Sequence, residues 1–154
     1  MSKIRQRLET LGVVLPNPSA PVANYAPFVR HGGLVHVSGQ LSVDDLGGVK
    51  GRVGVDVDPV RARQAARLCG VNLIVQFERA CDGDLDRLEQ VVRLGGYVQA
   101  GPQFTDIPQV LNGCSDLMVE VFADAGRHAR SAVGVYKNPL GFAVEVDAII
   151  AVRG

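Results

Sequence analysis

Two charged side chains near the end of the chain have the types and the spacing to bind a small carboxylate. Arg130 lies among small and apolar residues, and Glu145 follows it in a second apolar segment. A guanidinium is a planar fork that binds a carboxylate through two parallel hydrogen bonds, and a carboxylate can orient or deprotonate water. From these residues alone, an Arg–Glu ion pair in a subunit interface is the simpler interpretation, because ion pairs are often structural.

Alternating side chains predict that both charges lie on the strands of one β-hairpin. Apolar residues alternate over 130–136 and again over 144–152, with turn residues between the two segments. On this interpretation Arg130 and Glu145 face each other across neighbouring strands. Ala132, on the face of Arg130, leaves room for a ligand to lie against the backbone.

The rest of the chain predicts an α+β domain covering residues 1–154. Periodicity and end signals predict, in chain order, a short helix over 3–12, an extended segment through Pro16, Pro18 and Pro21, a hairpin over 28–38, a loop with one edge strand over 41–57, a helix from Asp58 to about Cys81, a strand over 88–98 and a second long helix over 107–125. Two long helices cover only one face of a sheet. The other face still carries Val, Ala and Ile, which predicts an oligomer with the sheets at its interface.

Single residues inside these elements predict local details. Gly39, directly after the hairpin, predicts a bulge or a backbone that another group approaches closely. Gly70 predicts close packing of the first long helix against the sheet, and Gly126 predicts the cap that ends the second. In the strand over 88–98, alternation places Val92 and Leu94 on one face.

Composition excludes several classes of protein. The 154 residues carry zero net charge, aromatic residues are 5%, and Trp is absent, which argues against a nucleic-acid partner. The three cysteines show no CxxC spacing, so neither a disulfide scaffold nor a zinc site is expected. No apolar signal segment or membrane-spanning run occurs, and we expect a cytoplasmic protein.

Four stretches together resemble a known family. Ala129-Arg130-Ser131-Ala132-Val133, followed by Pro139 and Val144-Glu145-Val146-Asp147-Ala148-Ile149, resembles the C-terminal signature of the Rid/YjgF family, also called the L-PSP endoribonuclease family. The spacing from the Arg to the Glu agrees with that signature. Supporting resemblances occur in Val37-Ser38-Gly39-Gln40, Ala62-Arg63-Gln64-Ala65 and Gly83-Asp84-Leu85-Asp86.

The resemblance implies a fold, an assembly and an activity. The fold is a chorismate-mutase-like mixed sheet with two long helices packed on one face, in a homotrimer with sites between subunits. The activity is hydrolysis of small 2-imino or enamine acids to 2-oxo acids and ammonia. No cofactor or metal is implied, because the pyridoxal phosphate belongs to the enzymes that release these substrates.

The resemblance also implies roles for individual residues. Arg130 is expected to bind the substrate carboxylate, and Glu145 to orient or activate the attacking water. The backbone amides of Gly39 and Ala132 are expected to help hold the carboxylate. The remaining candidates for substrate binding are Phe28, Ser38 and Asn112. Asn112 is equally well explained as a polar residue inside a helix. Imines are already electrophilic, so positioning can supply most of the rate.

Departures from the family pattern keep two other hypotheses open. Phe28 stands where the family often has Tyr, Ala132 stands where it often has Cys, and a helix is added at the N-terminus. These features are typical of a divergent branch and favour, as the alternative, a non-catalytic or regulatory trimer that binds a small carboxylate. A ribonuclease is suggested by the older family name alone, and the neutral charge and few aromatic residues disfavour it.

Overall fold

The computed structural model describes residues 2–18, 20 and 23–154, so Pro21 of the predicted extended segment lies outside the described residues. The described residues form α-helices and β-strands joined in part by short 3₁₀ turns. The helices are α1 (Lys3–Thr10), α2 (Pro59–Ala80) and α3 (Ile107–Phe122), and the strands are β1 (Phe28–His31), β2 (Leu34–Leu41), β3 (Leu88–Gln99), β4 (Ala129–Val135) and β5 (Val144–Val152).

The five strands form one mixed sheet in the order β1-β2-β5-β3-β4. β3 and β4 run parallel, and the other neighbouring strands are antiparallel. Helices α2 and α3 pack against each other and against one face of this sheet, and their apolar stripes form one core with it. The predicted α+β architecture, with two long helices on one face, is confirmed.

The predicted hairpin of Arg130 and Glu145 is wrong. β3 lies between β4 and β5, so Arg130 pairs with Leu94 and Glu145 pairs with Tyr97. Alternation decides which residues share a face of a strand, but it does not decide which strand lies alongside. Here α3 connects β3 to β4, and a connecting helix permits a parallel pairing that a tight turn does not.

The first predicted hairpin is confirmed, and so is the irregularity after it. β1 and β2 pair directly, with His31 opposite Leu34 across the turn. The pairing of β2 with β5 shifts between Val37 and Gln40, which places a β-bulge at Ser38 and Gly39. The bulge lies in the segment Val37-Ser38-Gly39-Gln40, where the sequence resembles the family.

Helix α2 begins where the sequence predicts, but its glycine serves a different contact. The Asp58 carboxylate accepts a hydrogen bond of 2.9 Å from the Arg61 amide and caps the helix. A Cβ at Gly70 would lie 2.9 Å from Leu117 and 3.2 Å from the Cys114 sulfur. Both residues belong to α3, so the prediction that Gly70 meets the sheet is wrong. The glycine allows the two helices to approach each other.

Strand β3 does not keep one alternation along its length. Its pairing with β5 shifts between Val91 and Arg93. Val91 and Leu94 are therefore both in the core, and Val92 is only partly buried. The predicted shared face of Val92 and Leu94 is wrong because a bulge inserts one residue and reverses the alternation on one side of it.

Residues 42–57 do not form the predicted edge strand. Within the described residues, this segment makes only isolated bridges, at Lys50, Val53 and Val57. Positive φ angles interrupt any extended run here, since a left-handed residue breaks the strand geometry. They occur at Gly47, Gly48, Gly51 and Gly54.

The end of α3 also differs from the prediction. The helix ends at Phe122, and Ala123, with φ 53°, is its C-cap rather than Gly126. Gly126 instead ends the following 3₁₀ turn, where a side chain would overlap the carbonyl of Met118. The glycine is required by this close approach and not by a left-handed cap.

The predicted N-terminal helix is confirmed as α1, which is anchored to the rest of the domain. The Asp86 carboxylate accepts hydrogen bonds of 2.9 Å from the amides of Lys3 and Ile4. These amides have no partner within the helix, so the distant carboxylate adds to the local cap, in which the Ser2 hydroxyl accepts a hydrogen bond of 3.1 Å from the Arg5 amide. Leu8 is buried in the core. None of the helices within 2–18, 20 and 23–154 combines the length and hydropathy needed to cross a membrane.

The sheet face opposite α2 and α3 is only partly covered. Along β5, Val144 and every second residue after it are buried in the core, whereas Glu145 and the residues in phase with it are half-buried on the opposite face. On the same face Val29 is 57% exposed and Val133 is 45% exposed. The expectation that another copy covers this face stays a prediction.

Candidate functional site

Arg130 is held in place from one side by helix α3. Its Nη1 donates to the Asn112 Oδ1 at 2.8 Å and to the Ser115 Oγ at 3.1 Å. Among the described residues, Nη2 and Nε of Arg130 have no hydrogen-bond partner. The guanidinium is therefore oriented through Nη1, and Nη2 and Nε can donate to another group. Two neighbouring donors of this kind are what binding a carboxylate requires.

A second layer of hydrogen bonds lies behind Arg130. His128, just before β4, has its Nε2 2.8 Å from the Ser115 Oγ and its Nδ1 2.6 Å from the Gly126 carbonyl oxygen. Burial lowers the pKa of His128, the bond to Gly126 opposes that shift, and the charge of Arg130 lowers it further. Sequence reasoning missed Ser115 and His128. The only available signal was a histidine two residues before Arg130.

Glu145 lies in a different environment. It is half-buried on the open face of the sheet, between Leu41 of β2 and Tyr97 of β3. A Cβ at Gly39 would overlap the Glu145 carboxylate. The predicted close approach to the Gly39 backbone is therefore confirmed, and the approaching group is Glu145.

Charged and polar neighbours set the protonation of Glu145. Burial raises the pKa of Glu145, and the negative charge of Asp147 raises it further. Asp147 accepts a hydrogen bond of 2.9 Å from the Tyr97 hydroxyl and lies 3.5 Å from Nη1 of Arg93. A carboxyl whose pKa is raised towards neutrality is suited to exchange protons with water or substrate. Sequence reasoning did not connect Tyr97 and Arg93 with Glu145.

A cavity of 250 Å³ lies beside Gly39. Its lining includes Gln40, Leu140, Phe142 and Tyr25. Tyr25 is 51% exposed at this position. It brings a phenol into the neighbourhood of Gly39, although Phe28 lacks one.

Three other predicted site residues, Ser38, Phe28 and Ala132, make contacts within the single chain that stabilise the fold. Ser38 donates its hydroxyl to the Ala26 carbonyl at 2.7 Å. The Phe28 ring lies under the guanidinium of Arg79, 5.7 Å from the ring centroid. Ala132 is partly buried against the core.

The predicted residues thus form two groups on opposite faces of the sheet. Arg130 and Asn112 are together on the helix-covered face, at the edge strand β4. Glu145 and Gly39 are together on the open face. Over the described ranges, no group of three or more His, Cys, Asp and Glu side chains is placed to hold a metal ion.

Comparison with known proteins identifies the family. The profile described as "YjgF/chorismate mutase-like, putative endoribonuclease" matches residues 5–147. The chain is 43% identical to Protein TCP17 of Trypanosoma cruzi over 150 residues. This match covers 96% of this chain and 93% of that protein.

Two solved structures agree closely. Protein Atu1372 of Agrobacterium tumefaciens is 42% identical, with a TM-score of 0.91 over 97% of this chain and 92% of that chain. A protein of Shewanella oneidensis MR-1, described as a "putative endoribonuclease", is 32% identical, with a TM-score of 0.92 over 97% and 99% of the two chains. The chain therefore belongs to the YjgF family and has its chorismate-mutase-like fold, as the sequence resemblance predicts.

Proposed function

We propose that this protein hydrolyses small 2-imino or enamine acids to 2-oxo acids and ammonia. The observation that carries the proposal is the Arg130 guanidinium, which α3 orients through Asn112 and Ser115 while two of its nitrogens keep no partner among the described residues. Such a fork binds a carboxylate in a fixed orientation. The family and the spacing from Arg130 to Glu145 support the imine as the group that reacts.

The proposed site needs two copies of the chain. Arg130 and Glu145 lie on opposite faces of one sheet, so a single chain does not bring them to one substrate. We propose a homotrimer in which Arg130 of one copy faces Glu145 and Gly39 of the next. The exposed apolar residues of the open face, Val29 and Val133 among them, support burial against another copy.

The proposed chemistry uses few groups. Arg130 holds the substrate carboxylate. Glu145 accepts a proton from a water molecule while the oxygen of that water bonds to the imine carbon. That proton returns to the nitrogen and completes a 2-amino-2-hydroxy acid. The proton of its new hydroxyl group then passes through Glu145 to the nitrogen as the C–N bond breaks, and the products are the 2-oxo acid and ammonia. The raised pKa of Glu145 lets the same carboxyl accept the proton and return it.

The proposed setting is the cytoplasm, and the proposed partners are the small substrate and other copies of the chain. Cys69, Cys81 and Cys114 are buried and unpaired, which is usual in a reducing compartment. The zero net charge disfavours a nucleic-acid partner.

One observation supports a second candidate, a non-catalytic protein that binds small carboxylates. The hydrogen bonds that orient Arg130 are complete within one chain. Glu145 is remote from Arg130, and the Phe28 ring lies under Arg79 and offers no hydroxyl. This candidate keeps the carboxylate-binding role of Arg130 and lacks turnover.

Measuring ammonia release from freshly generated 2-iminobutanoate separates the two candidates. We expect turnover by the wild type and a loss of at least about 100-fold for Arg130→Ala, since misplaced substrate loses the benefit of positioning. Arg63→Ala is the matched control, because Arg63 forms an exposed ion pair with Asp116. A wild-type rate equal to the rate in buffer contradicts the hydrolase proposal. Binding of 2-oxobutanoate that depends on Arg130 but is not accompanied by turnover supports the second candidate.

A further inference from the structure

Three side chains form a continuous line of hydrogen bonds that ends on Arg130. The Gly126 carbonyl contacts Nδ1 of His128, Nε2 of His128 contacts the Ser115 hydroxyl, and the Ser115 oxygen contacts Nη1 of Arg130. The line crosses from the 3₁₀ turn after α3, through α3, to β4. It links a titratable side chain to the proposed carboxylate-binding group.

The chemistry of the two ends fixes the direction of every bond when His128 is neutral. A carbonyl can only accept, so Nδ1 of His128 carries the proton and Nε2 is an acceptor. A guanidinium can only donate, so the Ser115 oxygen accepts from Arg130. The Ser115 hydroxyl hydrogen is then directed to Nε2 of His128. All three side chains are satisfied at once, and Ser115 offers its lone pairs to Arg130.

A proton on Nε2 removes this arrangement. His128 then donates on both nitrogens, and the Ser115 oxygen has to accept from His128 and Arg130 while its own hydrogen loses its acceptor. The imidazolium charge also lies close to the guanidinium charge. Both effects weaken the bond that orients Arg130.

We propose that His128, acting through Ser115, is a positioning residue for Arg130 and makes carboxylate binding weaker as His128 becomes protonated. The inference rests on the proposed role of Arg130 in binding the substrate carboxylate. It adds a control of carboxylate affinity by pH, in which the neutral form of His128 gives the tighter binding.

The surroundings of His128 favour the neutral form near pH 7. Among the described residues, the charged group that acts on His128 is Arg130 of β4, and α3 presents the Ser115 hydroxyl while the 3₁₀ turn presents the Gly126 carbonyl. Arg127, the preceding residue, is 71% exposed and lies 3.5 Å from the fully exposed Asp124. Burial and the Arg130 charge both lower the pKa of His128, so protonation requires a pH below its ordinary range.

Binding of 2-oxobutanoate at pH values from about 7.5 to about 5 tests the inference, because this 2-oxo acid stays ionised throughout. We expect the wild-type Kd to rise by about threefold to tenfold on acidification, which is what the loss of one hydrogen bond corresponds to. His128→Gln keeps an acceptor for Ser115 but does not titrate, so its Kd should lack the part of the rise on acidification that His128 causes. Glu145 titrates in both proteins, and its contribution cancels in the comparison.

Ser115 variants test the path from His128 to Arg130. Ser115→Ala should raise the Kd at pH 7.5 by about threefold to tenfold and reduce the pH dependence to that of His128→Gln, whereas Ser115→Thr should restore both properties of the wild type. A His128→Gln protein with the same pH dependence as the wild type overturns the inference while leaving the proposed function intact. A Ser115→Ala protein with the same Kd and the same pH dependence as the wild type also overturns the inference.

A measurement without ligand separates this inference from the proposed function. NMR should show the His128 imidazole titrating and the signals of the Arg130 side-chain nitrogens shifting with the same midpoint in the wild type. In Ser115→Ala the Arg130 signals should not respond. If the wild type neither turns over 2-iminobutanoate nor binds 2-oxobutanoate but this coupling is present, the proposed function fails and the positioning role stands. If the Arg130 signals do not follow His128, the positioning role is overturned, whatever binds.

Discussion

The Arg130 region and the Glu145 region use charge in opposite ways. Arg130 is fixed by neutral hydrogen-bond acceptors on a helix, and the positive charge is left available. Glu145 is half-buried next to another carboxylate, so its own charge is disfavoured and its pKa is raised. A group that binds an anion benefits from a permanent charge, whereas a group that moves a proton benefits from a pKa closer to neutrality. The difference is the one expected of a binding residue and a proton-transfer residue.

The two regions also differ in what completes them. The hydrogen bonds of Arg130 come from one chain, across the edge strand β4 and helix α3. Glu145 is on a face that one chain leaves partly exposed. The comparison predicts that each region is half of a site, and the experiments below test this from the largest expected effect to the smallest.

Mixing two inactive variants gives the largest effect. Arg130→Ala and Glu145→Gln should each lower turnover by at least about 100-fold. When equal amounts are unfolded and refolded together, about a quarter of the sites between neighbouring copies should contain both residues intact. Steady-state ammonia release should then recover to about a quarter of the wild-type rate. Each variant refolded alone is the control, and no recovery in the mixture contradicts a site shared between copies.

Adding one methyl group at Gly39 tests the Glu145 half alone. Gly39→Ala should overlap the Glu145 carboxylate and lower the free energy of unfolding by about 1–3 kcal/mol, with a loss of turnover as Glu145 is displaced. Gly33→Ala is the matched control, because nothing lies within 4 Å of a Cβ there. Its free energy of unfolding should change by no more than about 0.5 kcal/mol. Equal stability of the two variants in urea unfolding argues against the close approach.

Removing the amide next to Arg130 tests the other half. Asn112→Ala deletes one of the two acceptors of Nη1 and should raise KM by about threefold to tenfold with little change in kcat. Gln109→Ala is the control, since Gln109 contacts Asn112 at 3.3 Å but not Arg130. If steady-state kinetics give the same KM for both variants, Asn112 is only a polar residue within the helix.

The smallest expected effect is a shift in pH dependence. Glu145 has to be ionised to accept a proton from water, so the rate falls as the pH drops through its pKa. Asp147 raises that pKa, and Asp147→Asn should therefore move the acidic limb of the kcat/KM profile to lower pH. Asp116→Asn, which removes an exposed carboxylate of α3, should leave the limb in place. A limb that moves to higher pH with Asp147→Asn excludes Glu145 as the proton acceptor.

The sequence was informative wherever the cause of a feature is local. Asp58 and Pro59 begin α2 because a carboxylate caps free amides and a proline fits the first turn. The apolar stripe of α3 is buried, since helical spacing alone defines a face. Gly39 was identified because a glycine after a strand indicates a bulge or a close approach.

The candidate site could be predicted only in part, because its contacts cross the sheet and the helices. Residue types and spacing identified Arg130, Glu145 and Gly39, and the family resemblance added Asn112. The structure pairs Asn112 with Arg130 and Gly39 with Glu145. No local pattern indicates that Ser115, from the middle of α3, joins His128 to Arg130.

By itself, the sequence determined the family, the identity of the two charged residues and, apart from the edge strand wrongly predicted within 41–57, the order of helices and strands, because these depend on residue type, period and spacing. Only the tertiary structure decided that β3 lies between β4 and β5, which places Arg130 and Glu145 on opposite faces of the sheet. The physical reason is that alternation within a strand specifies its faces and not its neighbours. The neighbours follow from α3, which packs on the sheet and carries the chain across to a parallel strand.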